Sequence, residues 1–129
     1  MDIMLKKINS INNLYETFIS INRGDDKKWS KKFFFSLIKQ KSTICIFTKP
    51  KPKGYLIARV LQDEIEIITL LIGVSYRRDG LAKKLIEDLK KIAFKKKIVK
   101  IILEVSITNK AAIYLYKKTG FVEIAVRKN

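Results

Sequence analysis

The sequence has no histidine, which removes Ser-His-Asp and Cys-His catalysis in their usual forms. It has one cysteine, Cys45, so no disulfide can close within the chain, and a structural zinc site made of Cys and His lacks its ligands. No metal is expected. Cys45 lies in the apolar pattern Thr43-Ile44-Cys45-Ile46-Phe47, where a small buried hydrophobe is a better reading than a nucleophile. No apolar run reaches the roughly 18 residues a membrane span needs. The longest candidates, Ile65 to Val74 and Ile98 to Leu103, read as buried strands. Met1 to Ile8 is not followed by an apolar stretch long enough for a signal peptide. These absences point to a cytoplasmic protein with no membrane partner. Its acid-base groups must come from Asp, Glu, Tyr, Lys or a chain terminus.

What is present fits a single domain over residues 1–129. A domain of this size buries roughly two-thirds of its unfolded surface and supports one core without staples. The net charge is +16, from 28 Lys+Arg against 12 Asp+Glu. One reading is an anionic partner such as nucleic acid, a ribosome or a phosphorylated cofactor. The other is a codon bias that raises Lys, Ile and Asn together. The lysines are scattered over helix faces and form no basic arm, which favours the second as the main cause, with no specific nucleic acid partner.

Asp2 to Lys7 reads as a short first strand. Ile11, Leu14, Phe18 and Ile21 recur at helical spacing, with Ser10 as a plausible N-cap. After the loop Asn22 to Asp26, Ser30 caps a second helix carrying Phe33, Phe34, Leu37 and Ile38. Thr43 to Thr48 and Tyr55 to Leu61 form a hairpin around the Pro-rich turn Lys49 to Gly54, and Glu64 to Ile72 adds a third strand. Leu81, Leu85, Leu89 and Ile92 mark the core stripe of an amphipathic helix. Ile98 to Val105 reads as a strand buried on both faces. Asn109 caps a last helix, Lys110 to Thr119, closed by Gly120, and Phe121 to Arg127 reads as a final strand. The order β-α-α-β-β-β-α-β-α-β is that of a mixed α/β sheet.

Two stretches carry the chemistry. In the first, a strand ending at Ile72 runs through Arg77-Arg78-Asp79-Gly80 into the helix that starts Leu81-Ala82. Unpaired backbone N–H groups at a helix start bind anions, and Gly80 has no Cβ to hold a phosphate away. The same stretch is also compatible with an ordinary strand-turn-helix. It is neither a Walker A loop nor a dinucleotide fingerprint. In the second, Glu104 is a lone acid in an apolar strand, where burial would raise its pKa toward the range of a general base. Asn109 and Tyr116 are seven residues apart, two turns along one helix face.

Arg77-x-x-Gly80-x-Ala82 resembles the pyrophosphate loop of the GNAT acetyltransferases, and Asn109-x-x-Ala112-Ile113-x-Leu115-Tyr116-x-x-x-Gly120-Phe121 is similar to that superfamily's second half. Leu103-Glu104-Val105, Trp29-Ser30-x-x-Phe33 and Glu123 to Asn129 look like the RimI-type branch, which acetylates the N-terminal alanine of a ribosomal protein. The resemblance implies a GNAT fold, a central mixed, mostly antiparallel sheet flanked by helices. It implies acetyl-CoA as acetyl donor and direct attack of an amine on the thioester. Backbone groups of Leu70, Leu71 and Ile72 would contact the pantetheine arm and acetyl group. Arg77, Arg78, Asp79, Gly80, Leu81, Ala82 and Lys83 would cradle the pyrophosphate, and Asn109 would contact the cofactor. Glu104 would be the general base, through water, and Tyr116 the general acid.

The sequence departs from the pattern in three places. Val74 stands where a proline is common, Ala82 replaces the second glycine, and the chain stops at Asn129, where the branch pattern continues into one more strand. The expectation is a monomer lacking the last C-terminal strand, with the cofactor site intact and the acceptor groove weakened. Two other readings remain: a GNAT acting on another amine, such as lysine, a polyamine or a small molecule, and a CoA-binding or ribosome-associated module without turnover.

Overall fold

Alternating apolar residues lay the strands side by side, and the helices then cover both faces of the sheet. The structure, a computed structural model, describes residues 14–22 and 29–124. Helix α1 covers residues 14–21. Helix α2, Lys31–Ile38, begins at Ser30, whose side chain accepts a hydrogen bond from the Phe33 N–H at 3.1 Å, the capping expected from sequence. Strands β1 (Thr43–Phe47), β2 (Gly54–Leu61) and β3 (Glu64–Ile72) form an antiparallel meander. Helix α3 (Leu81–Lys95), strand β4 (Lys100–Ile102) and helix α4 (Lys110–Lys118) follow. The strand order is β1-β2-β3-β4, with β4 parallel to β3. Such a parallel step needs a crossover, and α3 supplies it.

The two sheet faces bury separate cores. On one, Leu85, Ile86, Leu89 and Ala93 of α3 pack on Leu56, Ala58, Ile65, Ile67 and Ile72. On the other, Phe18 and Ile21 of α1 and Phe34 and Leu37 of α2 pack on Tyr55 and Ile57. Strand β2 is buried from Tyr55 to Ala58 because both layers cover it. The buried Tyr55 hydroxyl donates to Asn22 Oδ1 at 2.6 Å, which satisfies two polar groups inside the aromatic core.

The register of β2 on β3 slips by one residue. Ile57 faces Thr69 but Ala58 faces Ile67, so Ile68 is an extra residue, a β-bulge. A bulge reverses the side-chain parity of a strand. Ile65 and Ile67 point to the α3 face before it, and Leu70 and Ile72 do so after it. Ile68 and Leu71 meet the opposite core. The β3–β4 ladder stops just before this point, with Glu66 opposite Ile102.

Several expectations change here. The strand read as Ile98 to Val105 is only Lys100–Ile102. Ile98, Ile101 and Leu103 are apolar because they pack against the α3 core, and a ladder is not needed to explain them. The strand read from Phe121 carries no strand over its described part, residues 121–124. Phe121 turns back onto α4 instead. Its N–H donates to the Tyr116 carbonyl at 2.9 Å, its ring meets Tyr116 edge-on, and Val122 and Ile124 are left 79% and 81% exposed. Gly120 follows α4 with φ +105, as a helix-terminating glycine does. The first strand Asp2 to Lys7, the Ser10 cap, Ile11 and the stretch 125–129 lie outside the described residues. Among the described residues no helix is long and apolar enough to cross a membrane.

Leu89 is fully buried between α3 and the sheet. Leu89→Ala is expected to cost about 2–5 kcal/mol of folding free energy, measured as a lower urea midpoint at unchanged slope.

Candidate active site

The bulge at Ile68 and the end of the β3–β4 ladder fall at the same level of the sheet. A bulged strand bends, and past this level β3 runs on to Ile72 with no rung to β4. Glu104 lies two residues beyond the last rung of this ladder, Glu66 opposite Ile102. Leu70, Leu71 and Ile72 lie on the carboxyl half of β3, beyond the β3–β4 ladder. The carboxyl ends of parallel strands are where α/β sheets bind ligands.

From Ile72 the chain passes through a short 3-10 turn, Val74–Tyr76, into the Arg77–Gly80 loop and α3. Arg77 Nε donates to the Ile72 carbonyl at 3.0 Å, so this side chain ties the loop to the end of β3. Arg78 has φ +73 and Gly80 has φ +75, two left-handed residues in one short loop. A Cβ built on Gly80 meets no atom within 4 Å, so the backbone there faces open space.

The start of α3 differs from those of α2 and α4. Ser30 caps α2, and Asn109 Oδ1 caps α4 by accepting from the Ala112 N–H at 3.2 Å. No side chain caps α3. The first bond along α3 is from the Lys84 N–H to the Gly80 carbonyl, which leaves the N–H groups of Leu81, Ala82 and Lys83 unbonded by the helix. No acidic residue stands in the first turn, while Arg77, Arg78, Lys83 and Lys84 are exposed around it; Asp79 is the one carboxylate in the loop. Together with the positive end of the helix dipole, this is an anion-binding arrangement of backbone and charge.

Helix α4 carries the other two polar residues expected at the site. Asn109 uses its carbonyl oxygen for the cap, and its amide NH2 remains to donate. Tyr116 is partly buried against the α3 core, and this burial pushes its phenol above its ordinary value. Glu104 is exposed and lies beyond the end of β4, contrary to the buried strand position expected from sequence. The chain leaves the sheet at Ile102, so the side chains after it need not alternate between two covered faces. The Cys45 thiol is pushed up to about 12 by burial, which makes it inert near neutrality, as the apolar pattern predicted. No group of three or more His, Cys, Asp or Glu side chains able to hold a metal occurs among the described residues.

A profile of the Acetyltransferase (GNAT) family matches residues 8–121. The chain belongs to the GNAT acetyltransferase family. It is 32% identical over 102 residues to the ribosomal protein bS18-alanine N-acetyltransferase of Escherichia coli K12, an alignment that covers 78% of this chain and 69% of that one. The crystal structure of the ribosomal-protein-S18-alanine N-acetyltransferase from Escherichia coli superposes with a TM-score of 0.78 at 28% identity, covering 89% of this chain and 76% of that one. A candidate streptothricin acetyltransferase from Bacillus anthracis, solved in complex with acetyl coenzyme A, superposes with a TM-score of 0.61 at 25% identity, covering 68% and 52%. The chain is thus an acetyl-CoA-dependent N-acetyltransferase with a GNAT fold.

The loop fits the donor. Acetyl-CoA carries a pyrophosphate, and the uncapped α3 turn, the open space at Gly80 and the surrounding cations suit it. The sequence missed the Arg77 brace and the bulge. Only the bulge left a trace there, in the adjacent apolar pairs Ile67-Ile68 and Leu70-Leu71, which break the alternation of β3.

Gly80→Val would place a branched side chain in the space the pyrophosphate needs, at a φ that β-branched residues avoid. The expected result is at least a 10-fold weaker dissociation constant for CoA by titration calorimetry. Unchanged affinity would move the pyrophosphate elsewhere.

Proposed function

We propose that this GNAT enzyme acetylates the N-terminal α-amine of a ribosomal protein, with Glu104 as general base and Tyr116 as general acid. The acceptor class rests on the similarity to the bS18-alanine N-acetyltransferases. The chemical roles are carried over from the family resemblance, and what supports them is the position of Glu104, an exposed acid two residues past the end of the β3–β4 ladder. Such an acceptor places the enzyme in the cytoplasm, where ribosomes are, acting as a monomer.

Acetyl-CoA supplies an activated acetyl group as a thioester. In this reading the backbone of Leu70, Leu71 and Ile72 aligns it along the open edge of β3, and the Arg77–Lys83 stretch holds its pyrophosphate. The acceptor enters as an ammonium and must lose a proton before its lone pair can attack the carbonyl carbon. Glu104 takes that proton. Its exposed position suits transfer through a bound water. The departing thiolate takes a proton from the Tyr116 hydroxyl. Burial pushes the Tyr116 phenol above its ordinary value, so at neutral pH the group is a hydroxyl with a proton to give and not a phenolate. Asn109 caps α4 with one end of its amide and offers the other to the cofactor.

Glu104→Gln and Tyr116→Phe are each expected to lower kcat by on the order of 10²-fold or more while leaving the CoA dissociation constant nearly unchanged. The sign of the Tyr116 shift adds a pH test. Its acid form is lost only as pH rises through its raised pKa, so the wild type should hold its acid-catalysed rate to above about pH 10, the ordinary tyrosine value. Thiol release with an alanine-initiated peptide, set against lysine and polyamine acceptors, checks the acceptor class. Turnover confined to a small amine would overturn the α-amine reading.

A further inference from the structure

The end of α3 far from the pyrophosphate loop carries a second basic surface. The 15 residues of α3 set the two ends roughly 22 Å apart. The solvent face of its last turns forms a groove lined by Glu87, Lys90, Lys91, Phe94 and Lys95. A neighbouring groove is lined by Lys41, Gln62, Asp63, Lys96 and Lys97, among others. Six lysines drawn from the α2–β1 turn, α3 and the α3–β4 turn thus meet only two carboxylates, Glu87 and Asp63. These lysines, read from sequence as scattered, converge only in the fold.

Most of this charge has no protein partner. Lys90 is committed: its Nζ donates to the Thr119 carbonyl at 2.6 Å. Lys41, Lys91, Lys95, Lys96 and Lys97 are exposed and form no ion pair among the described residues. Phe94, 84% exposed, lines the first groove with Lys90, Lys91 and Lys95, and its carbonyl accepts from the N–H of Lys97, which lines the second. Val99, 99% exposed, stands beside the same turn. An exposed aromatic face ringed by unpaired cations is the combination that holds single-stranded nucleic acid, with a base stacked on the ring and phosphates on the ammonium groups. A lipid surface would need a continuous apolar face, and the apolar stripe of α3 is already taken up by the core.

We infer that Phe94 with Lys41, Lys91, Lys95, Lys96 and Lys97 forms a binding surface for single-stranded RNA, separate from the acetyl-CoA site. RNA binding itself does not depend on the identity of the acceptor amine, whereas its use to the enzyme rests on the ribosomal acceptor proposed above. Bound RNA would hold the enzyme near a ribonucleoprotein substrate without occupying the cleft.

The experiment measures anisotropy of a fluorescein-labelled oligouridine 12-mer with saturating CoA present, so that the pyrophosphate loop is blocked. The triple variant Lys91→Gln/Lys95→Gln/Lys96→Gln should weaken binding at least 10-fold and reduce the log–log salt slope by about 2, since each phosphate no longer neutralised lowers it by about 0.7. Phe94→Ala should weaken binding about 5-fold or more with the slope unchanged, as loss of one stacked base does. A control triple, Lys32→Gln/Lys49→Gln/Lys51→Gln, removes the same charge from exposed positions on α2 and the β1–β2 loop and should cost less than about 3-fold. Circular dichroism melts establish that each variant folds, and CoA affinity and acetyl transfer should stay at wild-type levels. The inference is overturned if the control triple weakens RNA binding as much as the patch triple, if Phe94→Ala has no effect, or if anionic lipid vesicles or polyglutamate bind the patch as tightly as the RNA.

Discussion

Ile68 is one residue more than β2 can pair with, and the placement of the site follows from how the sheet absorbs it. A regular ladder would keep β3 and β4 together to their ends and leave no room between them. The bulge bends β3 close to where its parallel partner stops, and beyond that level β3 has no rung to β4. The parity change is held in place from both faces. Leu70 and Ile72 are packed on the α3 core and Ile68 and Leu71 on the aromatic core, so moving the bulge by one residue would turn these side chains into the wrong layers. The bulge is therefore a packed feature of the fold.

The cost of the anion site is visible in the same region. A side-chain cap is worth about 1 kcal/mol to a helix, and α3 forgoes it where α2 and α4 take it. Arg78 adds a left-handed residue with a Cβ, of order 1 kcal/mol more. The buried stripe of Leu85, Ile86, Leu89 and Ala93 offsets both, since each large apolar side chain contributes about 1.5–3 kcal/mol on burial. Stability taken from the middle of α3 thus supports an N-terminus left open for a ligand.

Much of the fold was legible because it depends on local pattern. The caps Ser30 and Asn109, the meander, and the stripe of α3 lie within a few residues of what their spacing predicts. The errors come where apolar residues have two possible uses. Leu103 is apolar because a helix-covered core lies beside it, and periodicity cannot distinguish that from a ladder partner. The same ambiguity placed Glu104 in a buried strand, when the chain has already left the sheet. Phe121 chose the Tyr116 ring over a strand edge, a preference set by α4. The convergence of Lys41 with Lys96 and Lys97 joins positions more than fifty residues apart, and sequence spacing carries no trace of it.

Helix α3 also positions the last turn of α4. Lys90 reaches from its outer face to the Thr119 carbonyl at the end of α4, a charge-assisted bond at the negative end of that helix. The Thr119 hydroxyl in turn donates to the Leu115 and Tyr116 carbonyls at 3.0 Å. Leu115 and Tyr116 themselves pack against the α3 core. The last turn of α4, which carries the phenol, is therefore fixed from the same helix whose first turn is left uncapped. A displacement of α3 would move its uncapped first turn and the Tyr116 end of α4 together, since both are tied to one rigid element and the packing along it.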